Sequence, residues 1–268
     1  MKLLPLFANI TTVLFDCDGV LWEGNHLLPG AVALLEQLRA NNTQVGFVSN
    51  NSTKDVGQYL AKFDQLGLEA HPLELVTSAM AARHYLTHLE IRPKRVFVVG
   101  ETGLINILEE GGFMVVPLDT DPQTIDAVVV GMDRGFTYEK LTLALQAIMA
   151  GARFVGTNPD PQFPTPEGFK PGAGAMIGGL ARALEREPEI ICGKPHTLIA
   201  TILEEQIPTL NPQQTLMIGD RVTTDLQFAL NAGYKPILVK TGFGTEEWAK
   251  YPDFPYHMVL DSLNDLLS

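Results

Sequence analysis

The sequence predicts an α/β protein built on an open parallel sheet, with helices on both faces and a second α/β segment inserted into it. Two patterns point there. β-Branched apolar runs alternate with stretches whose apolar residues recur at helical spacing, as in strands joined by crossover helices. Residues capable of chemistry follow directly on several of these runs, where open α/β sheets gather their ligands.

The elements follow in order. "TTVLFD" (11–16) and "QVGFVSN" (44–50) read as strands joined by the helix "PGAVALLEQLRAN" (29–41), a complete βαβ unit. Ser52 is expected to cap the next helix with Asp55 three residues on, and a short strand follows around "LELVTS" (73–78). The alternation resumes with "EIICG" (189–193), a helix from Pro195, "TLMIGD" (215–220), a helix ending near Gly233, and "KPILVKTG" (235–242). These two portions, 1–78 and 190–268, are expected to share one sheet. Between them, 79–189 holds strands of its own, "RVFVVG", "DAVVVGM" and "RFVGTNPD", and the Pro-rich "NPDPQFPTPEGFKPG"; it is expected to be an inserted second domain.

Composition removes several classes of function. The chain has 268 residues, 46% of them hydrophobic, enough for a substantial core. With 19 basic against 31 acidic residues its net charge is −12, which disfavours a phosphate-backbone surface and so a nucleic-acid partner. Gly, Asp or Pro breaks every apolar run before it reaches membrane-spanning length, so no membrane partner is expected. The opening "MKLLPLFANITTVLF" lacks a small-residue cleavage site and reads as the approach to the first strand. Cys17 and Cys192 are too few for a disulfide framework; a reducing cytoplasm is the expected location, and both thiols read as small buried hydrophobes.

The residues after the strands form a chemically consistent set: Asp16 and Asp18, Ser49 and Asn50, Lys194, Asp220, and Asp225 in the following helix. Carboxylates so crowded repel one another unless a cation sits among them, and an all-oxygen donor set suits Mg2+. Mg2+ and Lys194 would then face an anion, with Ser49 and Asn50 as neutral donors, and phosphate is the natural guest. Asp16 could attack phosphorus while Asp18 protonates the leaving oxygen, and Gly19 would permit the turn that separates the two carboxylates. A D-x-D alone is common in turns, and Asp225 alone could be a carboxylate favoured by a helix N-terminus.

"FDCDGVL", "VSNNS", "GKP" and "GDRVTTD", in that order, resemble the four motifs of the haloacid dehalogenase superfamily, phosphatase branch. "VGMDRGFTYEKL", "FVGTNPD" and "GFKPGAGA" are similar to the α/β cap of the subgroup that holds para-nitrophenyl, phosphoglycolate and pyridoxal phosphatases. The resemblance implies a Rossmann-like parallel-sheet core with an inserted α/β cap domain. It implies Asp16 as nucleophile and Asp18 as acid/base, with Asp16, the Asp18 carbonyl and Asp220 as metal ligands. Asp225 would then support the metal's waters or the lysine, while Ser49, Asn50 and Lys194 bind phosphate. Asp133, Arg134 and Phe136 in the cap become candidates for substrate choice. The activity implied is a Mg2+-dependent phosphatase of small phosphomonoesters; the alternatives are phosphoryl transfer to another acceptor, or a phospho-aspartate signalling or non-catalytic relative. Capped relatives often form homodimers, and an exposed cap strand could pair across a two-fold axis.

Other features are read as bland. "GAGAMIG" has one residue too many for a dinucleotide fingerprint and reads as a helix entry. His84 and His88 stand four apart but have no third ligand in the sequence nearby, and His196 reads as a polar residue in a first helical turn.

Overall fold

The structure, a computed structural model, describes residues 3–165 and 168–268; Met1 and Lys2 of the opening run and Pro166 and Glu167 of the Pro-rich segment lie outside these. The chain divides into two compact units. The first comprises residues up to Ser49 with Leu60–Val76 and Lys194–Ser268, and the second Asn50–Tyr59 with Thr77–Gly193.

The first unit is built on a six-stranded sheet in the order Met258–Leu260, Lys235–Val239, Thr215–Gly219, Thr12–Phe15, Gln44–Ser49, Leu75–Thr77. Thr12–Phe15 pairs in parallel with both Thr215–Gly219 and Gln44–Ser49. Strands buried on both faces must be apolar on both, which is why "VLF" and "LMI" show no alternation. Val13, Leu14, Phe15, Leu216, Met217 and Ile218 are all fully buried. The chain steps outward from Thr12–Phe15 to Gln44–Ser49 and Leu75–Thr77 on one side. It later returns to Thr12–Phe15 and steps outward on the other, through Thr215–Gly219. The strand order therefore reverses between Thr12–Phe15 and Thr215–Gly219, the position where such sheets open a crevice. Helix Ala31–Ala40 buries Ala31, Leu34, Leu35 and Leu38, the one-face spacing read from the sequence.

The second unit carries its own five-stranded parallel sheet, ordered Ile190–Ile191, Arg153–Gly156, Ala127–Val130, Arg95–Val99, Met114–Val115. Val128, Phe154, Leu143, Ala144, Ala147, Ile177 and Leu180 form its core, with helices Tyr138–Met149 and Ala173–Leu184 contributing. "GAGAMIG" indeed enters a helix, Ala173–Leu184. The Pro-rich segment folds as an antiparallel pair, Gln162–Thr165 with Gly168–Pro171. No helix among the described residues is long and apolar enough to cross a membrane.

Two local expectations are corrected. "EIICG" does not extend the sheet of the first unit: Ile190 and Ile191 pair with Val155 and Gly156 in the second. A two-residue β-branched run fits either sheet equally well, so its partner could not be read locally. Ser52 does not cap the following helix, which spans Val56–Gln65. Asp55 does so instead: its Oδ1 accepts from Gln58 N at 2.8 Å, and Gln58 Oε1 accepts from Asp55 N at 3.0 Å. Asp-x-x-Gln closes the reciprocal box that Ser52 with Asp55 had suggested three residues earlier. Asp55 Oδ2 also accepts from Asn106 Nδ2 at 2.8 Å. Asp55→Ala is expected to cost about 1–2 kcal/mol through loss of the cap and the Asn106 bond, read as a lowered urea midpoint at unchanged slope.

Candidate active site

Three site residues of the first unit are placed by strands that stop. Asp16 follows Thr12–Phe15, Asp220 follows Thr215–Gly219, and Ser49 is the last residue of Gln44–Ser49. Because the first two strands are neighbours, in register from Thr12↔Thr215 to Phe15↔Ile218, their next residues emerge side by side. Asp16 N donates to Ile218 O at 2.9 Å, extending the ladder to the edge of the site. Asp225 comes from a π-helical turn, Val222–Leu226, where its Oδ2 accepts from Arg221 N at 3.1 Å.

Asp16, Asp220 and Asp225 each turn an oxygen into one cluster whose atoms lie within 4.8 Å of one another. Lys194, 1% exposed, reaches the same place: its Nζ lies 2.5 Å from Asp16 Oδ1 and 2.6 Å from Asp225 Oδ1, and donates to Val48 O at 2.9 Å. Burial pushes the Asp16 carboxyl up to about 7; Lys194 opposes the shift, and Asp225 reinforces it. Asp220 is held well above the usual carboxylate range, first by burial and then by the charges of Asp225 and Asp16. Burial would lower the Lys194 ammonium, but Asp16 and Asp225 outweigh it and hold it raised. Three carboxylates against one ammonium leave a deficit of two positive charges in a dry site. A hard divalent cation would supply that charge, and an all-oxygen donor set of this kind suits Mg2+.

Asp220 sits in a close cradle. Its Oδ2 accepts from Phe243 N at 2.9 Å. Gly19, at φ +87°, and Gly242, at φ +55°, press against its carboxylate so closely that a Cβ on either would overlap it. Gly19 thus turns the chain in the left-handed region and also makes room for Asp220. Gly242 and Phe243 were missed in the sequence, although they follow the Lys235–Val239 strand much as the other site residues follow theirs.

Asp18 does not join the buried cluster. Its side chain is 53% exposed and its Oδ1 accepts from Trp22 Nε1 at 2.8 Å, with Lys62 Nζ at 3.5 Å. Cys17, between the two aspartates, is fully buried, and burial holds its thiol well above the ordinary range, as it does that of Cys192. Burial of this kind is that of structural rather than reactive thiols.

Asn50 belongs to the second unit, where Nδ2 donates to Asp160 Oδ2 at 3.0 Å and the backbone carbonyl accepts from Asn158 Nδ2 at 2.7 Å and Ser78 Oγ at 2.6 Å. The "TNPD" run thereby fixes Asn50, a role the sequence did not disclose. Asp133, Arg134 and Phe136 are also in the second unit. Asp133 is buried against Lys140 Nζ at 2.6 Å and caps its own turn by accepting from Gly135 N at 2.8 Å. Arg134 is 71% exposed yet engaged: Nε and Nη2 donate to Glu101 Oε1 and Oε2 at 2.7 and 2.5 Å, which lowers the Glu101 carboxyl. Phe136 packs against the core of its own unit. His84 and His88 stack at 4.0 Å, and His88 Nδ1 lies 2.8 Å from His84 O, a local helix-end contact.

Two family models match this chain, one described as haloacid dehalogenase-like hydrolase over residues 13–114 and one as HAD-hydrolase-like over 191–266. Phosphoglycolate phosphatase 1A, chloroplastic, of Arabidopsis thaliana is 35% identical over 267 residues, spanning 92% of this chain and 73% of that protein. An acid sugar phosphatase of Staphylococcus haemolyticus is 36% identical over 247 residues, spanning 91% of this chain and 90% of its own. The crystal structure of a 4-nitrophenylphosphatase from Thermotoga maritima superposes with a TM-score of 0.89 at 29% identity, covering 97% of each chain.

The glycine cradle makes a quantitative prediction. Gly24, at φ +57°, has nothing within 4 Å of an added Cβ, so Gly24→Ala should cost only the roughly 1–2 kcal/mol of a left-handed residue. Gly242→Ala pays the same and also displaces Asp220; its thermal midpoint should fall clearly below that of Gly24→Ala.

Proposed function

Since the chain belongs to the haloacid dehalogenase-like hydrolases and acts on phosphate esters, we propose that it is a Mg2+-dependent phosphatase of small phosphomonoesters working through a phosphorylated Asp16. The observation that carries this reading is Lys194 Nζ held between Asp16 and Asp225 in a cluster that still lacks two positive charges. Asp16, the backbone carbonyl of Asp18 and Asp220 would hold Mg2+, with Asp225 behind them. When bound, Mg2+ neutralises the carboxylates and stabilises charge on phosphoryl oxygens.

The chain's own residues account for the rest. Lys194, itself held by Asp225, fixes the Asp16 carboxylate, and burial strips it of water so that its oxygen would face phosphorus as a preorganised nucleophile. In the first half-reaction an Asp16 oxygen bonds to phosphorus, the ester P–O bond breaks, and the proton on Asp18 passes to the leaving oxygen. In the second, water bonds to phosphorus and gives a proton to Asp18; the bond to Asp16 breaks, releasing phosphate and restoring both carboxyl groups. Asp18 suits this shuttle because it is partly exposed, whereas Asp16 is buried among charges. Ser49, Asn50 and Lys194 are the proposed phosphoryl donors.

Substrates of this class are named for the relatives: phosphoglycolate, acid sugar and 4-nitrophenyl phosphatases. We assign the choice among them to the inserted segment, 79–189, as a cap carrying Asp133, Arg134 and Phe136. Arg134 would have to exchange its Glu101 carboxylate for an anionic group of the substrate, a replacement of one bidentate pair by another.

Asp16→Asn, an amide of equal size, is expected to abolish phosphate release while leaving the circular dichroism spectrum and thermal midpoint near those of the parent protein. Turnover in that variant would refute the covalent route. Removal of divalent ions by a chelator should abolish hydrolysis of 4-nitrophenyl phosphate, with recovery on adding Mg2+. Asp220→Ala should need a higher Mg2+ concentration for half-maximal rate, and an unchanged titration would remove it from the metal.

A further inference from the structure

Asp18 is bonded on one oxygen only among its described contacts, and the groups that hold it come from two places in the first unit. The turn after Asp16 folds back on itself: Leu21 N donates to Cys17 O at 2.9 Å and Gly19 N to Trp22 O at 2.7 Å. This brings Trp22, four residues on, beside Asp18, so that the indole N–H points at Oδ1. Trp22 is fully buried and its ring meets Phe63 edge-on at 5.0 Å between centroids. The neighbouring Lys62, its side chain 15% exposed, sets its Nζ 4.3 Å from the Trp22 ring centroid and 3.5 Å from Asp18 Oδ1. A lysine so placed gains from the ring face and from the carboxylate together, and surrenders much of its hydration to do so. Neither contact belongs to the sheet's pairing or to the buried carboxylate cluster.

We propose that Trp22 and Lys62 are positioning residues for the acid/base Asp18. They engage Oδ1, fix the rotation of the carboxyl group, and leave Oδ2 to carry the proton to and from the reacting oxygens. The indole supplies direction, because its single N–H bond is made by a ring that packing holds still. The ammonium supplies attraction along the same side of the carboxylate. Without them the Asp18 side chain, already half in solvent, samples orientations in which no proton reaches the leaving group. The proposal rests on the phosphatase reading and on Asp18 as its acid.

The test exploits the leaving group. An ester of nitrophenol leaves without much need of a proton, whereas an alkyl ester needs one. The ratio of kcat/KM for ethyl phosphate to that for 4-nitrophenyl phosphate therefore reports proton delivery in the first half-reaction. Asp18→Asn serves as reference and should lower the ratio by a factor on the order of 10² or more. Trp22→Phe and Lys62→Met are each expected to lower it about tenfold, a loss of oriented general-acid catalysis short of its full size. Lys62→Arg should restore most of the ratio. Lys62 is only part-buried whereas Trp22 is fully buried, so the Lys62 variants test the proposal even if Trp22→Phe loosens the fold. Equal losses on both esters in Trp22→Phe and Lys62→Met, with Asp18→Asn still selective, would overturn the positioning role. Equal losses in all three would overturn Asp18 as the acid, and the proposal with it.

Discussion

Lys194 threads its ammonium between two aspartates in a place that water does not reach, and the remainder of the site is arranged around that contact. Taking charges out of water is expensive, and a buried pair holds only when geometry is close and each remaining polar atom has a partner. Lys194 meets those terms, with two carboxylates and the Val48 carbonyl all within hydrogen-bond reach. Asp220 is held differently: the Phe243 amide donates to it, Arg221 only partly offsets the charge around it, and burial with the neighbouring carboxylates leaves it strongly disfavoured as an anion. The cluster is thus balanced on the lysine side and unbalanced on the Asp220 side. On the proposed mechanism, that asymmetry separates the fixed counter-ion of Asp16 from the place where an exchangeable cation would sit.

The sheet makes this arrangement possible. Neighbouring parallel strands end at the same level, so Asp16 and Asp220 emerge together although about two hundred positions separate them in the chain, with Ser49 at the end of the strand on the other side of Thr12–Phe15. A strand order that reverses at this point leaves no crossover helix to cover the gap. Fold and chemistry are therefore one fact here: the same apolar runs that hydrophobic burial selects as central strands also deliver the polar residues that follow them.

Much of this was legible in the sequence because it depends on local pattern. "TTVLFD" and "TLMIGD" announce buried strands by unbroken β-branched and large apolar residues, and the acid after each run is placed by the strand itself. Reading was weaker where the deciding interaction is distant. "EIIC" has the same local character whichever sheet it joins, and only the pairing with Val155 and Gly156 decides. Ser52 and Asp55 are both competent caps, and the choice fell to Gln58, which answers Asp55. Arg134 stands in the sequence as a candidate for substrate choice, but the Glu101 carboxylate that it grips comes from another element and leaves no local signal. Gly242 carries no signal of its own, because what makes it necessary is a carboxylate that arrives from another strand.

The two glycines flanking Asp220 also bear on which acid can stand there. Aspartate and glutamate bind cations through the same group and differ by one methylene, so chemistry alone scarcely distinguishes them. Here the backbone of Gly19 and Gly242 closes directly on the carboxylate, so that a carboxylate carried one carbon further would meet main chain on this side. The two glycines thus favour the shorter acid by reach rather than by affinity, a ruler cut into the main chain.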